Sequence, residues 1–115
     1  MLAFVGHVER AWGCSFISPK VGPQHEVFTS TLRALMDGWR LGHAMDFFND
    51  KYSASTAELH ECLDGVRRSG DKPNEVEMAR LWTENNDARS YVIIGDPAVR
   101  LCDNACPSPD DPAER

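Results

Sequence analysis

Two short apolar runs, one near each end of the chain, predict buried strands. The first, Leu2–His7, is interrupted only by Gly6, and the second, Tyr91–Gly95, is rich in β-branched residues. Runs this short favour strands over helices, and unbroken apolar character is typical of strands covered on both faces. We therefore predict that both strands lie in one sheet with helices packed against it, in either a parallel or an antiparallel arrangement.

Between these runs, apolar residues recur at steps of three and four, as they do on one face of an amphipathic helix. The first such stretch predicts a helix from His25 to Asp37, ended by Gly38. A second stripe of the same spacing consists of Leu41, Ala44, Met45, Phe48 and Tyr52.

Two patterns typical of helix N-termini lie further along the chain. Ser55 with Glu58 forms a capping box, which predicts that a new helix or a kink begins there. Asn74 with Glu77 forms a second one and predicts a helix that ends near Asn85–Asp87. The chain thus contains three or four predicted helices.

The segment Glu9–Pro23 is too rich in glycine and proline for a regular element and too aromatic for a plain linker. We expect an ordered loop packed on the rest of the chain. The element order is then strand, loop, helices and strand. Two strands alone make a poor sheet, so the inventory indicates the second half of a larger α/β sandwich.

The net charge and the lack of long apolar runs argue against two classes of protein. The chain has 115 residues and a formal net charge of −6, which argues against a nucleic-acid protein that works by neutralising phosphates. No apolar run approaches the length of a membrane span.

Met1 leads directly into the first apolar run without a basic leader, so we expect a cytoplasmic protein with reduced thiols. The acidic, proline-rich residues 102–115 predict a disordered tail.

Neither the cysteines nor the helical histidines form a metal-binding pattern. Cys102 and Cys106 have a spacing that zinc sites rarely use, and no histidine lies near them. His25, His43 and His60 stand alone at a helix start or on helices. We expect no metal and no cofactor.

Two segments resemble caspase-like cysteine peptidases of the gingipain and CHAT-domain group. They are residues 2–16, LAFVGHVERAWGCSF, and residues 81–101, LWTENNDARSYVIIGDPAVRL. The resemblance implies that residues 1–101 form the C-terminal half of a caspase-like three-layer α/β/α sandwich, contributing two strands and three to four helices. It also implies that the catalytic His and Cys of the family lie upstream of the segment resembled, so that this chain holds no catalytic residue.

In the family resembled, the loop after the first strand borders the substrate cleft, and ligands of α/β sheets bind beyond the carboxyl ends of the strands. This makes His7, Glu9, Arg10 and Trp12 candidates for one wall of a peptide-binding cleft. Arg10 would fork onto a carboxylate, and Trp12 would floor an apolar pocket. The alternative is that Arg10 pairs with Glu9 or the acidic surface and Trp12 packs under the loop.

Two further groups of residues have structural interpretations. Gly95, Asp96 and Pro97 predict a turn in which the Asp96 side chain accepts backbone N–H groups. Asp87 and Arg89 flank the last helix–strand junction, and we interpret them as an ion pair.

Three hypotheses for function follow. The first is a segment that completes the sheet and one cleft wall of a peptidase domain, paired with an upstream-encoded chain or domain that carries the dyad, or self-associating in its absence. The second is a non-catalytic caspase-like interaction module. The third is a small enzyme whose nucleophile is Cys14 and whose base is His7.

Overall fold

The computed structural model describes residues 2–18, 22–70, 72 and 74–101. Over these residues the chain forms four helices and four short strands, a mixed architecture of α and β elements. The helices are α1 (Glu26–Met36), α2 (Leu41–Ala44), α3 (Asp46–Ser69) and α4 (Glu75–Arg89). The strands are β1 (Ala3–His7), β2 (Ile17–Ser18), β3 (Gly22–Pro23) and β4 (Tyr91–Gly95). The predicted tail and the Cys102–Cys106 pair lie outside the described residues.

The two predicted strands pair directly, and the pairing is antiparallel. Phe4 lies opposite Ile94 and His7 lies opposite Tyr91. The Val8 N–H donates to the Ser90 carbonyl at 2.9 Å and so extends the ladder by one bond. The structure therefore confirms the shared sheet and decides the direction that the sequence left open.

Alternation along β1 and β4 gives this ribbon two different faces. On the inner face, Ala3, Tyr91 and Ile93 pack against a core of buried helix residues. The buried members of that core are Leu41, Met45 and Phe48. On the outer face, Phe4 and Ile94 are 63% and 64% exposed. The prediction that both faces are covered is thus wrong for this chain, since its helices lie on one side of the ribbon.

Aromatic rings join the ribbon to α1 and α3. The Phe28 ring lies 5.2 Å from that of Phe48 and 5.9 Å from that of Tyr91, in both cases edge to face. The Phe48 and Tyr91 rings are 4.6 Å apart. Pairs of this geometry stabilise a core beyond the area that they bury.

Helix α3 is continuous where the sequence predicts a new helix or a kink. Ser55 and Glu58 lie in the interior of its 24 residues, so the prediction of a new helix at Ser55 is wrong. Apolar residues spaced for one helical face on both sides of Ser55 outweigh a local pattern that needs only two residue types. The helix ends at Gly70, whose φ of 69° is the left-handed conformation that glycine adopts without strain.

The second predicted helix start is confirmed, with Asn74 as its N-cap. The Asn74 side chain accepts the N–H groups of Val76 and Glu77 at the start of α4. This helix runs on to Arg89, slightly past the predicted end. It returns along α3 as a helical hairpin, in which the Asn85 amide donates to the Thr56 hydroxyl at 2.8 Å.

The loop after β1 contains more regular structure than predicted. Gly13–Ser15 form one turn of 3₁₀ helix, and β2 pairs with β3 in a small antiparallel hairpin. The glycines and prolines that suggested irregular structure permit a short turn and a two-residue strand pair, which are too brief to leave a periodic signal.

Candidate functional site

A buried carboxylate fixes the loop that follows β1. Asp87, in the last turn of α4, is only 2% exposed. Its Oδ1 accepts the Trp12 N–H at 2.8 Å, and its Oδ2 accepts the Ser15 hydroxyl. The loop is therefore attached at two points to a helix more than seventy residues away in the chain.

His7 brings the end of β1 to the same carboxylate. Its Nε2 lies 3.3 Å from Asp87 Oδ1 and 3.2 Å from the Asp87 carbonyl oxygen, and its Nδ1 lies 2.7 Å from the Glu9 carbonyl oxygen. The Glu9 N–H faces the same Nδ1 at a longer 3.3 Å. Nδ1 therefore donates to the Glu9 carbonyl or accepts the Glu9 N–H according to the tautomer, whereas Nε2 faces two acceptor oxygens of Asp87.

The remaining bonds run through Ser15. The Tyr91 hydroxyl donates to Ser15 Oγ at 2.9 Å, and Lys51 Nζ donates to the Ser15 carbonyl at 3.2 Å. Ser15 is completely buried. We call the set His7, Trp12, Ser15, Asp87 and Tyr91 the Asp87 network.

The Asp87 network contains a serine, a histidine and an aspartate, but not in a catalytic order. In a nucleophilic triad the histidine lies between the hydroxyl and the carboxylate and takes the hydroxyl proton. Here the carboxylate lies between the hydroxyl and the imidazole, and no substrate reaches a fully buried Ser15. The chemistry available to this network is to hold the loop in place.

The predicted cleft residues lie on the loop that this network fixes. His7 is tied to Asp87, whereas Glu9, Arg10 and Trp12 are exposed, Trp12 by 59%. The cleft that they would border stays a prediction. The proposed ion pair with Arg89 is wrong in its partner, because the Asp87 carboxylate turns inward to His7, Trp12 and Ser15.

Cys14 has the electrostatics of a protonated thiol. Burial raises its pKa above the ordinary value, and the carboxylates of Asp87 and Glu84 raise it further, against a smaller opposing effect of Lys51. A nucleophilic cysteine needs the opposite arrangement, in which positive charge lowers the thiol pKa. Together with the engagement of His7 by Asp87, this argues against the hypothesis of a Cys14–His7 enzyme.

A cavity of about 570 Å³ lies beside the Asp87 network, in the size range of small-ligand sites. Helices α1, α3 and α4 and the β2–β3 hairpin contribute to its wall. Its lining residues are Cys14, Pro23, Gln24, Glu26, Val27, Ser30, Phe47, Asp50, Lys51, Ala54, Ser55, Glu58 and Glu84. The sequence analysis did not predict this cavity; the one signal for it is the run of small residues Ser53–Ala57 in α3, which includes Ala54 and Ser55 of the cavity wall.

Two polar atoms in the cavity wall have no hydrogen-bond partner within the described part of the chain. They are Ser55 Oγ and Glu84 Oε1, and both are withdrawn from solvent. The other carboxylate oxygen of Glu84 accepts from Arg80 Nη1 at 2.6 Å. Arg80 also donates to Glu77 and Glu58, and these carboxylates raise its pKa above the ordinary value.

The turn after β4 supports helix α2. Asp96 Oδ1 accepts the Ala98 N–H at 2.9 Å, and the Pro97 carbonyl accepts the Gly42 N–H at 2.7 Å. A Cβ on Gly42 would come within 3.2 Å of the Pro97 Cβ, so this close approach favours glycine. One predicted turn residue, Pro97, thus provides an acceptor for an amide in the first turn of a helix, where the N–H groups have no partner within the helix.

Among residues 2–18, 22–70, 72 and 74–101, no three His, Cys, Asp or Glu side chains are grouped to hold a metal ion. None of the helices in that part of the chain combines the length and apolar character needed to cross a membrane.

No family model, curated protein or solved structure matches the chain.

Proposed function

We propose that this chain is the C-terminal segment of a caspase-like cysteine peptidase domain of the gingipain and CHAT-domain group. In this proposal it completes the sheet of the sandwich and supplies one wall of the substrate cleft, while a chain or domain encoded upstream carries the catalytic dyad. The observation that carries the proposal is the bare outer face of the β1–β4 ribbon.

That face has the composition of an interior surface. Phe4 and Ile94 lie opposite each other on it, one pair from the end of the ribbon, and Leu2, 89% exposed, lies just beyond that end. Adjacent large apolar side chains on a strand pair mark a surface that another element covers. A two-stranded ribbon with helices on one side is half of the layering that an α/β sandwich needs.

The Asp87 network supports the second part of the role. It fixes the backbone of the loop at Trp12 and Ser15 and leaves Arg10 and Trp12 exposed. A rigid loop with an exposed guanidinium and an exposed indole suits the recognition of a peptide carboxylate and an apolar side chain.

The test is co-expression with the polypeptide encoded immediately upstream. We expect a stable complex by size exclusion with light scattering, and cleavage within a broad fluorogenic peptide panel by the complex only. Phe4→Lys should abolish complex formation. The matched control is Val76→Lys, because Val76 is 80% exposed in the first turn of α4, at the end of that helix opposite to the one that leads into β4.

Two outcomes would overturn the proposal. One is an isolated chain that is monomeric, cleaves peptides and loses activity in Cys14→Ala, which would favour the enzyme hypothesis. The other is a complex whose partner lacks a caspase-like His and Cys, which would favour the interaction-module hypothesis. Equal binding by the Phe4→Lys and Val76→Lys variants would show that the outer face is not the contact surface.

A further inference from the structure

We draw no further inference here: the strongest candidate, the outer edge of strand β1, where the backbone groups of Ala3, Val5 and His7 point away from β4, carries nothing because nothing in the structure shows which strand covers it.

Discussion

At the residue scale, Asp87 is the residue on which the described interactions converge. An aspartate is a poor helix former, and at a helix C-terminus its charge opposes the macrodipole. The chain nevertheless has Asp87 in the last turn of α4, where it joins the end of β1 and the following loop. Neither helix propensity nor the macrodipole favours Asp87 at this position, so its hydrogen bonds to distant residues explain why it is there.

Replacement of Asp87 should be costly. Asp87→Asn keeps the shape, but it removes the charge opposite His7 and turns amide hydrogens toward the Ser15 hydroxyl or the Trp12 N–H. We expect a loss of about 2–4 kcal/mol in the free energy of unfolding, measured with urea. The freed loop should also be cut faster by trypsin at Arg10.

Asp64→Asn is the matched control for that experiment, since Asp64 is exposed on α3 and should change stability by less than about 0.5 kcal/mol. Equal losses for the two variants would show that the Asp87 network contributes nothing specific.

Two ionisable groups, Tyr91 in the Asp87 network and Cys14 beside it, predict a fall in the free energy of unfolding at alkaline pH. Burial raises the pKa of the Tyr91 hydroxyl above its ordinary 10.0 and that of the Cys14 thiol above its ordinary 9.0. Because the folded values are raised, the stability contribution is present below the unfolded pKa values and is lost as the pH rises through the folded ones. We expect the wild type to lose stability between about pH 8 and pH 11.

The control is the double variant Cys14→Ala, Tyr91→Phe, which lacks both ionisations and should lose less stability over the same range. Urea denaturation at each pH gives the comparison. Parallel stability profiles for the two proteins would contradict the assignment of the effect to these groups.

At the element scale, helix ends follow local chemistry only where nothing larger competes. Asn74 comes after a helix that ends at Gly70 and before a first turn that contains Glu75 and Glu77, and its side chain caps α4 as its pattern predicts. Ser55 has the same type of pattern, but apolar residues at helical spacing continue on both sides of it, and α3 runs through. A two-residue motif thus predicts a helix start reliably when the periodicity also stops there.

Replacement of Asn74 tests the conclusion that a capping residue stabilises a helix start where the apolar periodicity stops. Asn74→Ala should lower the free energy of unfolding by about 1 kcal/mol, because two amides of α4 lose their acceptor. Asn74→Ser should retain most of the stability. Asn86→Ala, at an exposed interior position of the same helix, should be neutral or slightly stabilising.

At Ser55, where the apolar periodicity continues, we expect replacement by alanine to change the free energy of unfolding in the opposite direction. Its hydroxyl caps nothing and has no partner among the described residues. Alanine has the higher helix propensity, so Ser55→Ala should raise the free energy of unfolding by about 0.5 kcal/mol. A loss near that of Asn74→Ala, in the same denaturation assay, would mean that Ser55 does act as a cap.

At the scale of the whole molecule, the sequence predicts the elements better than their contacts. Strands β1 and β4, helix α1 and the start of α4 follow from spacing and capping residues alone. The antiparallel direction and the Asp87 network do not, because they join residues 72 to 92 positions apart and no local pattern records the partner. The cavity was not predicted for a related reason. Its shape depends on side chains of three helices together, so no single segment of the sequence indicates it.

The ribbon should be the part of the fold most dependent on association. Its interstrand bonds are shielded by helices on the inner face only, and the Phe4–Ile94 side faces water. A two-stranded ribbon is marginal unless it is covered, so its amides should open through local fluctuations that leave the α3–α4 hairpin intact. Hydrogen exchange of the isolated chain at low concentration should therefore be faster at Gly6 and Val92, a pair whose N–H groups point across the ribbon, than at buried positions of α4. Protection of the ribbon should rise with protein concentration, or on addition of the upstream-encoded polypeptide, while that of α4 stays constant. Ribbon amides as slow as those of α4, at every concentration, would show that the chain stabilises both strands by itself and would remove the physical reason to expect a covering partner.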